Sequence, residues 1–266
     1  MLRLTLLSII AVAPSGYANA DPLDKAFDHL FNFEFSMVDS ATADLLHNPL
    51  AHCLRAAALL FSEFSNLKIW EGEDFFGNGH RSKAKPDEAV RRRFQTALQE
   101  TRRLADAAIA QNARDTLALF SYMLSYGLET DYIAYIERRS MASFDACKKG
   151  QLWADKLLAV DPHFDDAYFI TGLNEYMLGA LPAVVRWAVK VETAKGDKQN
   201  GLQHLETAAR GGRYFPAFAK LLLAVFYERE KQVPKAVAML EDLSVHYPKN
   251  PLFRNQLARL REMQRW

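Results

Sequence analysis

The side chains able to do chemistry are few and scattered. Seven histidines are spread along the chain. His47 and His52 lie five residues apart, a spacing that does not put two side chains on one face of a helix. His163 follows Pro162 and reads as a surface residue at a junction. Glu71, Glu73 and Asp74 gather three carboxylates near His80 in a loop, where a calcium ion is conceivable. The spacing of a calcium-binding helical hairpin is absent, so a solvated acidic loop is the simpler reading. No G-x-S-x-G, H-E-x-x-H, P-loop or dinucleotide glycine fingerprint occurs. The residues imply no catalytic group, cofactor or metal, and so a protein that is not an enzyme. Cys53 (CLRAAALL) and Cys147 (SFDACKKG) sit in helix-like stretches. Two separate small buried residues is the simpler reading, because a disulfide needs Cα atoms within about 7 Å and spacing cannot show that.

Charge points the same way. Lys plus Arg is 33 and Asp plus Glu is 32, so no net field draws the chain to nucleic acid. Basic clusters occur at Arg91–Arg93, Arg102–Arg103, Arg138–Arg139 and Lys148–Lys149, with little aromatic interleaving at the first two. Half the residues are hydrophobic and 24% are charged, which excludes a disordered chain. Only 12 Gly and 10 Pro disfavour a turn-rich all-β fold, and two Cys exclude a disulfide scaffold or a four-cysteine zinc site.

Residues 1–20 read as a cleavable export signal. Arg3 precedes the apolar run Leu4–Val12, which Pro14 and Gly16 end, and Ala18-Asn19-Ala20 offers an A-x-A cleavage site before Asp21. The run is too short to span a bilayer, and no later run reaches the roughly 18 apolar residues of a span. Removing residues 1–20 takes one Arg and no acid, so basic and acidic side chains become equal in number. The expectation is a periplasmic protein of one domain over residues 21–266, with no transmembrane segment.

The elements that must position these residues are helices. Apolar residues recur at three- and four-residue spacing almost throughout. Ala217–Tyr227 and Lys235–His246 form one hairpin, ended by Tyr247-Pro248. Four earlier pairs precede it: Asp24–Asn32 with Phe35–Leu46, Pro49–Phe64 with Pro86–Gln111, Arg114–Gly127 with Phe144–Val160, and Asp165–Gly179 with Asn200–Gly211. Asn255–Trp266 is amphipathic, with Arg259, Arg261 and Arg265 around Leu257, Leu260, Met263 and Trp266. It reads as a cap burying its apolar stripe rather than a helix resting on an anionic membrane.

The last hairpin resembles the tetratricopeptide repeat (TPR) family. With Ala217 as position 1 of a 34-residue unit, Leu223 falls at 7, Ala224 at 8, Tyr227 at 11, Ala236 at 20, Leu240 at 24 and Pro248 at 32. Leu243 and Lys220 depart from the pattern at 27 and 4. Small residues at 8 and 20 let paired helices approach. Gly172 and Gly201 hold those two positions in the preceding unit. More remotely, Gly172, Tyr176, Leu181-Pro182, Gly196-Asp197 and Gly201 are similar to the periplasmic T component associated with TRAP transporters and to a eukaryotic TPR-like group. The resemblance implies an all-α, right-handed TPR-like solenoid of about five helical hairpins, with helical inserts and a C-terminal capping helix.

TPR inner grooves are lined from positions 2, 5, 9 and 12 of each first helix. That assigns Leu54, Phe61, Leu117, Leu124, Phe169, Leu173, Tyr176, Phe218, Leu221 and Val225 to a ligand or partner groove. The near absence of Lys, Asn and Arg disfavours a clamp for peptide carboxylates. The insert over 181–193 (LPAVVRWAVKVET), interrupted by Arg186 and Lys190, is expected to lie across the groove through Val184, Val185 and Trp187. The leading expectation is a scaffold that binds another envelope protein. The alternative is a carrier or transporter accessory for a small apolar ligand, which calls for an enclosed pocket of a few hundred Å³.

Overall fold

The computed structural model describes residues 21–70, 84–182 and 196–263. Every regular element among them is helical. In chain order the α-helices are α1 (Pro22–Phe31), α2 (Phe35–Ala41), α3 (Pro49–Asn66), α4 (Glu88–Gln111), α5 (Thr116–Asp131), α6 (Ser140–Val160), α7 (Tyr168–Ala180), α8 (Lys198–Gly211), α9 (Pro216–Arg229), α10 (Val233–His246) and α11 (Pro251–Met263). The export signal, the Glu71–His80 loop, Trp187 and Trp266 lie outside the described residues.

Local chemistry starts these helices. Asn48 caps α3, its side-chain oxygen accepting from the backbone N–H groups of Leu50 and Ala51, with Pro49 at the first helical position. Asp21, Asp87, Asp115 and Asp197 cap α1, α4, α5 and α8 in the same way. Between α5 and α6 the backbone widens into one π turn over Tyr132–Ile136. Its Glu137 N–H donates five residues back to the Tyr132 carbonyl at 3.1 Å, and Arg138 at φ 58° ends it.

Consecutive helices pack side by side from α3 to α6 and again from α6 to α11, and α3 also touches α5. One apolar core runs from Leu23 to Leu260. Ala224 and Ala236 are buried at the α9–α10 pair. At the α7–α8 pair the backbones themselves meet. A Cβ on Gly172 would stand 2.8 Å from the Gly201 carbonyl oxygen, and one on Gly201 would stand 2.5 Å from the Tyr176 nitrogen. Only glycine permits that approach. Helix α11 packs on α10, burying Leu252, Phe253, Leu257 and Leu260.

The chain also closes end to end. Phe31 of α1 lies against Phe218 and Tyr247, at ring-centroid distances of 5.6 and 5.4 Å. The Asn250 amide donates to the Phe31 carbonyl at 2.8 Å, and Arg213 pairs with Asp21 at 2.7 Å. The N-terminal helix therefore sits against the final hairpin.

Several arginines of the basic clusters are held in ion pairs. Arg91 reaches Glu88 and Glu137, Arg93 reaches Asp39, Arg102 reaches Glu129 and Arg103 reaches Glu100. Arg259 and Arg261 of α11 pair with Glu228 and Glu241.

Candidate functional site

Helices from both ends of the chain meet around one cavity of about 110 Å³. Helix α3 contributes Leu54, Ala57 and Phe61, and α1 contributes Leu30. Helix α5 and its π turn present Leu124, Gly127, Leu128, Asp131 and Tyr135. That series follows the three- and four-residue spacing of one helix face. Helix α7 adds Phe169, Ile170 and Leu173, and the opposite wall is Phe215, Phe218 and Leu222. The wall is overwhelmingly apolar, and the rings of Phe215 and Phe218 occupy part of it. The volume suits a single ring or a short alkyl chain, the scale on which dry apolar cavities bind benzene-sized guests.

The far-reaching contacts that hold this wall are polar. Asp166 is buried before α7, and its carboxylate accepts from the N–H groups of Arg213, Tyr214 and Phe215 at 2.9, 2.9 and 2.7 Å. These bonds pin the loop that delivers Phe215 to the cavity. Burial raises the Asp166 carboxyl above its ordinary range, and the three N–H donors oppose that rise.

One end of the cavity differs. Thr130, Asp131, Cys147 and Asn174 converge there. The Thr130 hydroxyl donates to the Tyr126 carbonyl at 2.7 Å. The Cys147 thiol donates to Asn174 Oδ1 at 3.2 Å, and the Asn174 amide passes the chain on to Gln151 Oε1 at 2.8 Å. Gln151 in turn donates to Asp155 at 2.9 Å. Among the described residues no donor or cation meets the Asp131 carboxylate. It is half-buried in the cavity wall, and burial with no counter-charge pushes its carboxyl up to about 7. An unpaired carboxylate in an apolar wall is costly.

Both cysteines are free thiols lining this cavity. Cys53 donates weakly to the Ser121 carbonyl at 3.9 Å. Burial lifts Cys53 to about 12 and Cys147 to about 11, the latter also raised by the charge of Asp131. Neither is an activated nucleophile. No group of three metal-ligating side chains occurs among the described residues.

Of the groove residues expected from the sequence, Leu54, Phe61, Leu124, Phe169, Leu173 and Phe218 line the cavity. Leu117 lies instead in a separate polar cleft with His163 and Asp165. Tyr176 stacks on Phe226 at 3.7 Å and donates its hydroxyl to Glu230 at 2.9 Å. Leu221 and Val225 are buried in the core, because α9 turns Phe218 and Leu222 rather than Leu221 and Val225 to the cavity. Trp187, with the insert it belongs to, lies outside the described residues. Among those described, Leu30 of α1 joins the lining of the cavity.

Sequence reasoning passed over Asp131. Its signal was a lone acid continuing the stripe Leu124, Leu128, Asp131, Tyr135. No protein-family model matches the chain, and no characterised protein matches its sequence.

Proposed function

We propose that this chain is a non-enzymatic, exported binding protein that carries a small apolar ligand inside a TPR-like, right-handed solenoid. The observation that carries the reading is the apolar cavity of about 110 Å³ lined by α1, α3, α5, α7 and the final hairpin, smaller and less enclosed than the pocket of a few hundred Å³ expected from the sequence and so suited to a smaller guest. A stable fold has no need of a void, since filling one with side chains gains packing energy. The repeat-like spacing, the close approach at Gly172 and Gly201, and the sequential side-by-side packing support the solenoid reading. The apolar run and A-x-A site of residues 1–20 support export to a periplasm. Among the described residues no helix is long and apolar enough to cross a membrane.

A scaffold for another envelope protein calls for a contiguous apolar surface. The large apolar side chains left exposed, among them Leu46, Met141, Leu152 and Val245, are spread over several elements. They give that reading less support than the cavity gives a carrier.

The test is to purify the chain from its native host, unfold it, and analyse the extract by mass spectrometry. The expected result is a small apolar molecule near one per chain, absent from an Ala57→Leu variant whose added carbons fill the cavity. Recovery of an envelope protein in fixed ratio, with an empty cavity, would favour the scaffold instead.

A further inference from the structure

We infer that the cavity selects a small apolar amine, seating its protonated nitrogen against the Asp131 carboxylate. The inference rests on the cavity being a ligand site.

Among the described residues the wall contains no Lys, Arg or His, and these offer a carboxylate or phosphate head group no counter-charge. The polar end is rich in lone pairs and short of free donors. The Thr130 proton is spent on the Tyr126 carbonyl and the Cys147 proton on Asn174 Oδ1. One amide proton of Asn174 is spent on Gln151. What remains is the second amide proton of Asn174 and, outnumbering it, the pair of Asp131 oxygens with the oxygens of Thr130 and Asn174. That set asks for a ligand carrying several N–H groups and a positive charge. The rest of the wall asks for hydrocarbon. A primary ammonium on a ring or short chain meets both demands within about 110 Å³.

Among the described residues, the titratable groups that line the cavity with Asp131 are the Cys147 thiol from α6, the Cys53 thiol from α3 and the Tyr135 phenol from its own segment, and Cys147 is the one that feels the Asp131 charge. Helices α7 and α9 present Asn174 and apolar side chains. No cation of the described protein competes for the carboxylate. The empty site holds its proton up to about pH 7, so seating an ammonium below that pH expels a proton, and amine affinity weakens as pH falls.

The experiment is isothermal titration of the full chain with hexylamine, hexanol and hexanoate at pH 7.5. The amine is expected to bind about tenfold or more tighter than the alcohol, with hexanoate weakest. Asp131→Asn should erase the amine's advantage and leave hexanol binding within about twofold. In the unmutated protein the amine-to-alcohol affinity ratio should fall about tenfold between pH 7.5 and 5.5, a readout that does not depend on the variant folding. An alcohol or hexanoate that binds as tightly as the amine overturns the inference, as does an amine preference that survives Asp131→Asn or a ratio that stays flat with pH. Hexanol binding without amine preference would remove only the Asp131 anchor. If none of the three binds, the carrier reading falls with it.

Discussion

The α7–α8 crossing and the junction of α5, α6 and α7 share a helix and end in opposite ways. At the first, Gly172 and Gly201 bring two backbones into contact and leave no space. At the second, a π turn, the half-buried Asp131 carboxylate and a chain of amide and thiol hydrogen bonds border an open cavity. Helix pairing alone therefore does not make the cavity. Closure follows where side chains vanish. Space persists beside the π turn at the end of α5, and π turns are frequent at functional sites.

The sharpest way to break the contrast is to force the closed crossing open. Gly201→Leu puts a branched side chain where even a Cβ meets the Tyr176 nitrogen at 2.5 Å. It is expected to destabilise by about 3 kcal/mol or more, read as a lowered urea midpoint or loss of soluble protein. A midpoint near that of the parent would show that the backbones do not touch.

Asp166→Ala comes next. It leaves the N–H groups of Arg213, Tyr214 and Phe215 without their acceptor. The cost should be about 2–3 kcal/mol, and Phe215 should lose its fixed place in the cavity wall. Urea titration measures the first effect, and reduced affinity for an apolar guest measures the second.

A smaller effect tests the open end. In the folded protein Asp131 keeps its proton up to about pH 7, above its unfolded value of 3.8. Between those values the folded state binds the extra proton, so stability falls as pH rises through about 4 to 7, and the loss is complete above that window. Asp131→Asn should remove this slope. Above pH 7 it should be more stable than the parent by on the order of 1–3 kcal/mol. Urea titrations of both proteins at pH 5 and pH 8 check it. Equal slopes would mean that Asp131 is paired.

Much of this frame was legible in the sequence. Helical periodicity and the Pro and Asp punctuation marked the helices, and the small residues at Gly172, Gly201, Ala224 and Ala236 marked the tight crossings. The inner face was harder to read. A helix turned by one residue moves its stripe by about 100°, enough to bring Leu222 rather than Leu221 to the cavity. The closure of α1 on the last hairpin joins Phe31 to Tyr247, and no local pattern reports contacts between such distant positions. Nor does composition reveal the π turn, since the five-residue hydrogen bond competes with the ordinary one only in its tertiary setting. Asp131 was visible as an acid on an apolar stripe, but only the fold shows that no donor or cation among the described residues meets it.

The most direct test of the account is calorimetric titration of toluene into the unmutated protein and into Ala57→Leu. Ala57 lines the cavity, and the added carbons should fill it with a stability change of about 2 kcal/mol or less either way. The account predicts saturable binding at one site in the unmutated chain, with a negative heat-capacity change, and none in an Ala57→Leu variant that remains folded. Absence of saturable binding to the unmutated chain, or equal binding to both proteins, would contradict it.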